Sequence, residues 1–338
     1  MMNRYQYQTD EDTERVEQLA EIKNEIVKEI GKVIVGQKDV IELLLISLMS
    51  SGHSLFVGVP GLAKTLLVST LSGVTSLRFN RVQFTPDLMP SDITGSEVLE
   101  KDLTTEQRFF KFIKGPIFCN ILLADEINRA SPKTQAALLQ AMQERKVTIG
   151  GETHNLHPPF LVFATQNPIE QEGTYPLPEA ELDRFMFQID VDYPSKEEEI
   201  DIVKSTTGIF NPDITKILDA EKILYYQDLV YRVPVSEHVA AYAVRISRAT
   251  RPDVISNNEV VKRWISWGVG PRASQFLILG SKAKAALEGR FTPTTDDVRY
   301  IAPSVLKHRI VLNYRAEAEG IKPTDIINEI LDKVEPDV

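Results

Sequence analysis

Apolar residues recur at Val16, Leu19, Ile22, Ile26 and Ile30. Steps of three and four place them on one helix face and predict a helix over Thr13–Ile30. A second helix is expected from about Lys38 to Ser50, with Gly52 ending it. The period then changes. Apolar runs of strand length follow at Ser54–Val57, Leu77–Phe84, Asn120–Ala124, Phe160–Thr165 and Phe185–Val191. Helical spacing returns between them, at about Lys64–Leu71 and Lys133–Gln143. Strands alternating with helices predict an α/β fold, a parallel sheet covered by helices on both faces.

Two stretches break the alternation. Residues near 93–112 read as a hairpin-like insertion, and residues near 146–156 as a second hairpin turning at Gly150-Gly151. Neither is needed to complete a sheet, so both are candidate contact surfaces. After Tyr193 the character changes. Ser195 with Glu198 forms a capping box, and helices are expected over Ser195–Thr206, Ala220–Tyr231, Ser236–Ala249, Arg272–Glu288 and Thr295–Val311. The expected organisation is a polar tail over 1–14, an α/β domain over 15–193 and an all-helical domain over 194–338.

Gly58-Val59-Pro60-Gly61-Leu62-Ala63-Lys64-Thr65 follows the first strand and opens a helix, continuing into Leu66. It is close to the phosphate loop G-x-x-x-x-G-K-[ST]. Small residues let backbone N–H groups wrap a phosphate, and the helix N-terminus adds its positive end. Lys64 would reach the β- and γ-phosphates of ATP, and the Thr65 hydroxyl would ligate Mg²⁺. Ala63 stands where glycine is usual, so the cradle survives if this position has negative φ.

Asn120–Ala124 runs into Asp125 and Glu126, 61 residues after Lys64. Ligands of parallel sheets sit at the carboxyl ends of strands. There Asp125 would hold the metal and Glu126 would polarise the attacking water. Alone, the pair is equally a solvated acidic turn. Asn167 ends another strand, and beside the other two motifs it is a candidate γ-phosphate sensor; alone it is an Asn-Pro turn.

Together these residues resemble an AAA+ ATPase, and more narrowly the MoxR family. The resemblance covers most of the chain. It rests on Val35-Gly36-Gln37, the phosphate loop, the run from Leu123 to Leu139, Ala164–Pro168, Pro178–Phe185 and Gly270–Ser274. It implies that residues 33–37, with Val35, Gly36 and Gln37, lie against adenine and that Asn167 is the first sensor. Arg184 would be an arginine finger reaching a neighbour's γ-phosphate, and Arg272 the second sensor. Arginine suits both roles, since it stays charged and can clamp phosphate oxygens in pairs. On the residues alone, Arg184 could instead pair with Asp183, and Arg272 could be a charge early in a helix. Arg129, close behind the acids, is open to a subunit-interface role. The resemblance also implies a ring, a hexamer by preference, a partner bearing a von Willebrand A domain, and chaperone-like remodelling of partner proteins. The two hairpins match inserts that face the ring pore or a partner.

The chain has 338 residues, 43% of them hydrophobic, and a net charge of −10. Proteins that grip nucleic acid carry a basic footprint, so this balance weighs against a nucleic-acid-directed motor, the first alternative. A nucleotide-gated binding module without turnover is the second. The single cysteine, Cys119, reads as a small buried residue. No apolar stretch is long enough to span a bilayer, and a cytoplasmic location is expected. His154 and His157 read as surface residues, and Trp264 and Trp267 as packing.

Overall fold

The computed structural model describes residues 10–101, 107–169, 173–208, 212–252 and 259–336. Helix α1 spans Asp10–Ile30 and α2 spans Lys38–Met49. α1 begins ahead of Thr13 because Asp12 is buried and accepts from Arg232 Nη1 at 2.7 Å. Residues 10–14 are therefore helix rather than tail, and 1–9 lie outside the described residues.

Next come β1 (Ser54–Val57), α3 (Lys64–Val74), β2 (Phe79–Gln83) and α4 (Pro90–Thr94). A hairpin of β3 (Gly95–Lys101) and β4 (Arg108–Lys114) follows, then β5 (Ile121–Asp125) and α5 (Pro132–Glu144). A second hairpin joins β6 (Lys146–Ile149) to β7 (Glu152–Asn155), before β8 (Leu161–Gln166), α6 (Glu179–Leu182) and β9 (Phe187–Asp190). The sheet order is β2-β5-β8-β1-β9, and every pairing is parallel.

The two-residue period of a strand sends alternate side chains to opposite faces. Leu123, Phe163 and Phe56 join one core with α1, α2 and α3, while Leu122, Ala124 and Val162 join a second with α5. β5 is buried throughout, which is why it reads as an unbroken apolar run.

The two hairpins touch. Phe112 of β4 stacks on His154 of β7, with ring centroids 4.1 Å apart. A Cβ at Gly150, where φ is +58, would lie 2.1 Å from Glu97 Oε2, so a larger residue there would displace the Glu97 carboxylate. His154 is thus half-buried in an aromatic stack, contrary to its surface reading, while His157 is exposed. Residues 102–106 of the first insertion lie outside the described residues.

Beyond Pro194 the chain is largely helical: α7 (Lys196–Thr206), α8 (Ala220–Arg232), α9 (Glu237–Ala249) and α10 (Glu259–Trp264). There follow β10 (Ile265–Trp267), α11 (Pro271–Leu287), α12 (Thr295–Leu306), β11 (Val311–Leu312), α13 (Tyr314–Ala318) and α14 (Pro323–Lys333). The capping box at Ser195 is formed, with Ser195 N–H donating to Glu198 Oε2 at 2.8 Å. The last expected helix is cut short. α12 stops at Leu306, the next turn buries His308 and Arg309, and Val311 and Leu312 pair antiparallel with β10. Trp264 is buried, but Trp267 is 70% exposed, so packing accounts for only one of the two tryptophans. One apolar cluster runs from the sheet and α1 into α8, α9, α11, α12 and α14.

Candidate phosphate-binding site

β5, β8 and β1 are neighbours in the sheet, and their carboxyl ends bring Asp125, Asn167 and Gly58 together. A cavity of about 380 Å³ opens there, lined by Pro60–Leu66, Asp125, Glu126, Thr165 and Asn167. A larger cavity, about 590 Å³, lies between α1 and α8, but in its lining Glu21, Glu25, Asp219 and Glu221 outnumber Arg15 and Lys222, which disfavours a polyphosphate.

The loop's shape depends on its small residues. A Cβ at Gly58 would meet Val191 O at 2.5 Å, and Gly61 has φ +86. Ala63 has φ 56 and ψ 20, so the condition of a negative φ is not met and the loop holds its shape with a left-handed alanine. The left-handed conformation costs an L-residue about 1–2 kcal/mol, and Ala is the smallest side chain that carries the cost. Glu126 (φ 55) and Gln37 (φ 52) share it. Such strained positions concentrate at functional sites.

Lys64 folds back over its own loop, donating from Nζ to Gly58 O and to Val59 O at 3.1 Å. Burial lowers its pKa, and Asp125 and Glu126 push the other way. Thr65 Oγ1 donates to Asp125 Oδ2 at 3.3 Å.

Both acids are held by neighbours, of which the motif reading had singled out Arg129 alone, and for a different role. Thr165 Oγ1 donates to Asp125 Oδ1 at 2.5 Å and accepts from Glu126 N–H at 2.8 Å, so one hydroxyl orients both residues. On β2, Arg81 donates to Asp125 Oδ2 from Nε at 2.9 Å and from Nη2 at 2.7 Å. Gln83 Nε2 and Arg129 Nη1 both donate to Glu126 Oε2, at 2.8 and 3.0 Å. Arg129 is therefore engaged within its own chain. The available signal was the polar content of β2, Phe79-Asn80-Arg81-Val82-Gln83, in a strand expected to be apolar. Asn167 is buried at the cavity and its Oδ1 accepts from Ile169 N–H at 3.1 Å, which leaves its amide NH₂ as the group on offer.

Val35-Gly36-Gln37 reaches the loop from the other side. Gln37 Nε2 donates to Leu62 O at 3.3 Å, and its Oε1 is buried without a partner. At Gly36 a Cβ would overlap Glu198 Oε1, 2.0 Å away.

Arg184 and Arg272 do not line the cavity. Arg184 is half-buried beside Glu181, whose pKa is raised by burial while Arg184 opposes the shift. It does not pair with Asp183. Both Asp183 oxygens are taken, by Arg272 Nη1 at 2.7 Å and by Arg309 Nε at 2.8 Å. Cys119 is buried as expected, and burial pushes its thiol up to about 12.

Residues 53–187 match the ATPase family associated with various cellular activities (AAA), and residues 257–330 match the AAA lid domain. Chaperone MoxR1 of Mycobacterium tuberculosis is 45% identical over 90% of this chain and 80% of its own length. Protein MoxR of Paracoccus denitrificans is 31% identical over 87% of this chain and 90% of its own. A solved structure, a candidate ATPase from Cytophaga hutchinsonii, superposes with a TM-score of 0.89 at 43% identity, covering 96% of this chain and 98% of that one.

Proposed function

The chain belongs to the MoxR family of AAA+ ATPases, and from that premise we propose that it hydrolyses ATP with Mg²⁺ as a ring and remodels partner proteins. The observation that carries this is the convergence of Lys64, Thr65, Asp125, Glu126 and Asn167 at one cavity. Thr65 Oγ1 and Asp125 Oδ2 are a hydroxyl and a carboxylate oxygen 3.3 Å apart, the hard donor pair that suits Mg²⁺ beside phosphates. When bound, the ion neutralises phosphate charge. Lys64 would leave the loop carbonyls for the phosphates, and Glu126, its backbone fixed by Thr165 and its carboxylate held by Gln83 and Arg129, would take the attacking water's proton. Asn167 offers its NH₂ to the γ-phosphate. Gln37 Oε1, an unpartnered acceptor beside the loop, fits an adenine amino group.

Arg184 has no acceptor in the cavity of its own chain, which supports its use on a neighbour's nucleotide. Hydrolysis would then depend on assembly, in a hexamer by preference, and trans fingers are worth about 10³–10⁵ in rate. Arg272, beside Asp183, accompanies Arg184 and reports the lid's position. The client surface is the first hairpin, where Leu99 is 53% and Phe110 70% exposed. Exposed apolar side chains fit a protein client, including a partner with a von Willebrand A domain, better than nucleic acid. None of the described helices is long and apolar enough to cross a membrane, and the proposed place of action is the cytoplasm.

The test is turnover against protein concentration. Glu126→Gln should cut the rate at least about 100-fold while ATP still binds. Full turnover in that variant would remove the catalytic assignment. Tight ATP binding with no turnover by the unaltered protein at any concentration would favour a binding module, and salt-sensitive stimulation by DNA would favour a nucleic-acid motor.

A further inference from the structure

The segment that carries Arg184 is tied to the lid by the Asp183 carboxylate and by backbone carbonyls on either side of Arg184. Asp183 accepts at Oδ2 from Arg272, in the first turn of α11, and at Oδ1 from Arg309, in the turn after α12. The two arginines are held very differently. Arg309 is 7% exposed and also donates to the carbonyls of Asp183 at 3.0 Å, Phe185 at 2.5 Å and Met186 at 3.3 Å. Its guanidinium lies 5.0 Å from the Phe276 ring centroid of α11. Burial draws the Arg309 pKa down to about 10, with Asp183 acting against that shift. Removing the carboxylate would leave a buried charge whose remaining partners, backbone carbonyls, the His308 ring nitrogen and the Phe276 ring, carry no formal negative charge. The Arg272 side chain is more open, at 40% exposure against 2% for Arg309, so that link is cheap to break and remake.

One oxygen of Asp183 is thus fixed to the lid interior and the other holds a releasable arginine. Arg184 is the next residue, and its side chain is in no ion pair among the described residues. The Arg309 bonds to the carbonyls of residues 183, 185 and 186 bracket it on both sides.

We propose that Asp183 is a positioning residue for hydrolysis between subunits: anchored on Arg309 and in contact with Arg272, it makes the position of Arg184 follow the position of the lid. A subunit whose lid moves would then advance or withdraw its arginine from the neighbour's phosphates. This rests on the reading of Arg184 as a group acting on the neighbour's nucleotide.

The experiment mixes subunits. Asp183→Asn keeps the shape and loses the charge, and its own phosphate cavity is untouched. Alone it should lose at least tenfold in turnover at assembling concentration, with KM for ATP changed less than twofold. Mixed with Glu126→Gln, which cannot hydrolyse but presents an intact Arg184, it should recover activity well above the sum of the two proteins alone. A structural defect in Asp183→Asn would not be repaired by a neighbour. If that variant does not fold, as read by its melting curve, Asp183→Glu carries the same test with charge retained and a milder loss expected. Parental turnover in Asp183→Asn overturns the proposal. So does failure to recover in the mixture when Arg184→Ala mixed with Glu126→Gln does recover. If the Arg184→Ala mixture also fails, the inter-subunit reading itself falls, and the coupling with it.

Discussion

Ala63 shows what one backbone angle does to a loop. Its methyl group sits at φ 56 where glycine would be free of strain. Ala63→Gly should raise stability by about 0.5–1 kcal/mol, the left-handed cost less the extra entropy of an unfolded glycine. Ala63→Val should lower it by more than about 1 kcal/mol, because a β-branched side chain tolerates that angle worst. Thermal melts of the three proteins check both signs. At Asp125 the issue is charge. Arg81 places a guanidinium on the oxygen that also meets Thr65, so it would compete with a cation bound there. Arg81→Ala should lower the Mg²⁺ concentration that half-saturates nucleotide binding by about two- to fivefold, a half-exposed pair being worth under about 1 kcal/mol. A rise would show that Arg81 supports the metal site instead. The motif residues were legible because phosphate chemistry demands them in order along the chain. Thr165 and Arg81 were not, because each acts across strands, and one-dimensional spacing does not record which strands are neighbours.

β1, β5 and β8 were legible as elements because they are buried on both faces and therefore read as apolar runs, while β2 and β9 are only partly buried. α10, α13, α14, β10 and β11 were not anticipated. β10 and β11 are three and two residues long, too short for any period to show. α14 does carry a helical signal in Ile326, Ile327, Ile330 and Leu331, all buried, with Pro323 in its first turn, and that signal was passed over. The first hairpin was anticipated as an insertion, and its exposure shows what it is free to do. Val98, Leu99, Phe109, Phe110 and Ile113 are all more than a third exposed, and a lone hairpin cannot bury both of its faces. Phe110→Ser should change stability by less than about 0.5 kcal/mol yet abolish the proposed capture of partner proteins by the Glu126→Gln variant in ATP. A large drop in melting temperature would instead make Phe110 part of the fold's own core.

Over the whole molecule, stability should depend on pH through two buried histidines. His53 accepts from Val162 N–H on Nδ1 at 2.9 Å, and burial lowers its pKa from 6.5 to about 4. His308 is lowered well below 6.5 by burial and by Arg309. A histidine neutral in the fold but protonated when unfolded stabilises the protein fully above about pH 6.5 and loses that contribution as pH falls toward the folded value. For His53 alone the loss by pH 4 is about 3 kcal/mol. Denaturant midpoints should therefore fall between pH 6.5 and 4, and His53→Gln should flatten the slope. The fold class, the phosphate loop, the acids at a strand end and the capping box at Ser195 were determined by sequence alone, because each is a local rule: a period, a spacing, a cap. Only the tertiary structure decided that Ala63 is left-handed, that Arg81 and Arg129 hold the two acids, and that Arg272 and Arg309 meet at Asp183 rather than at the cavity. Those contacts join residues 44, 89 and 126 positions apart in some cases and only three in another. What they share is charge placed by packing, and packing is settled only when the sheet order and the lid are in place.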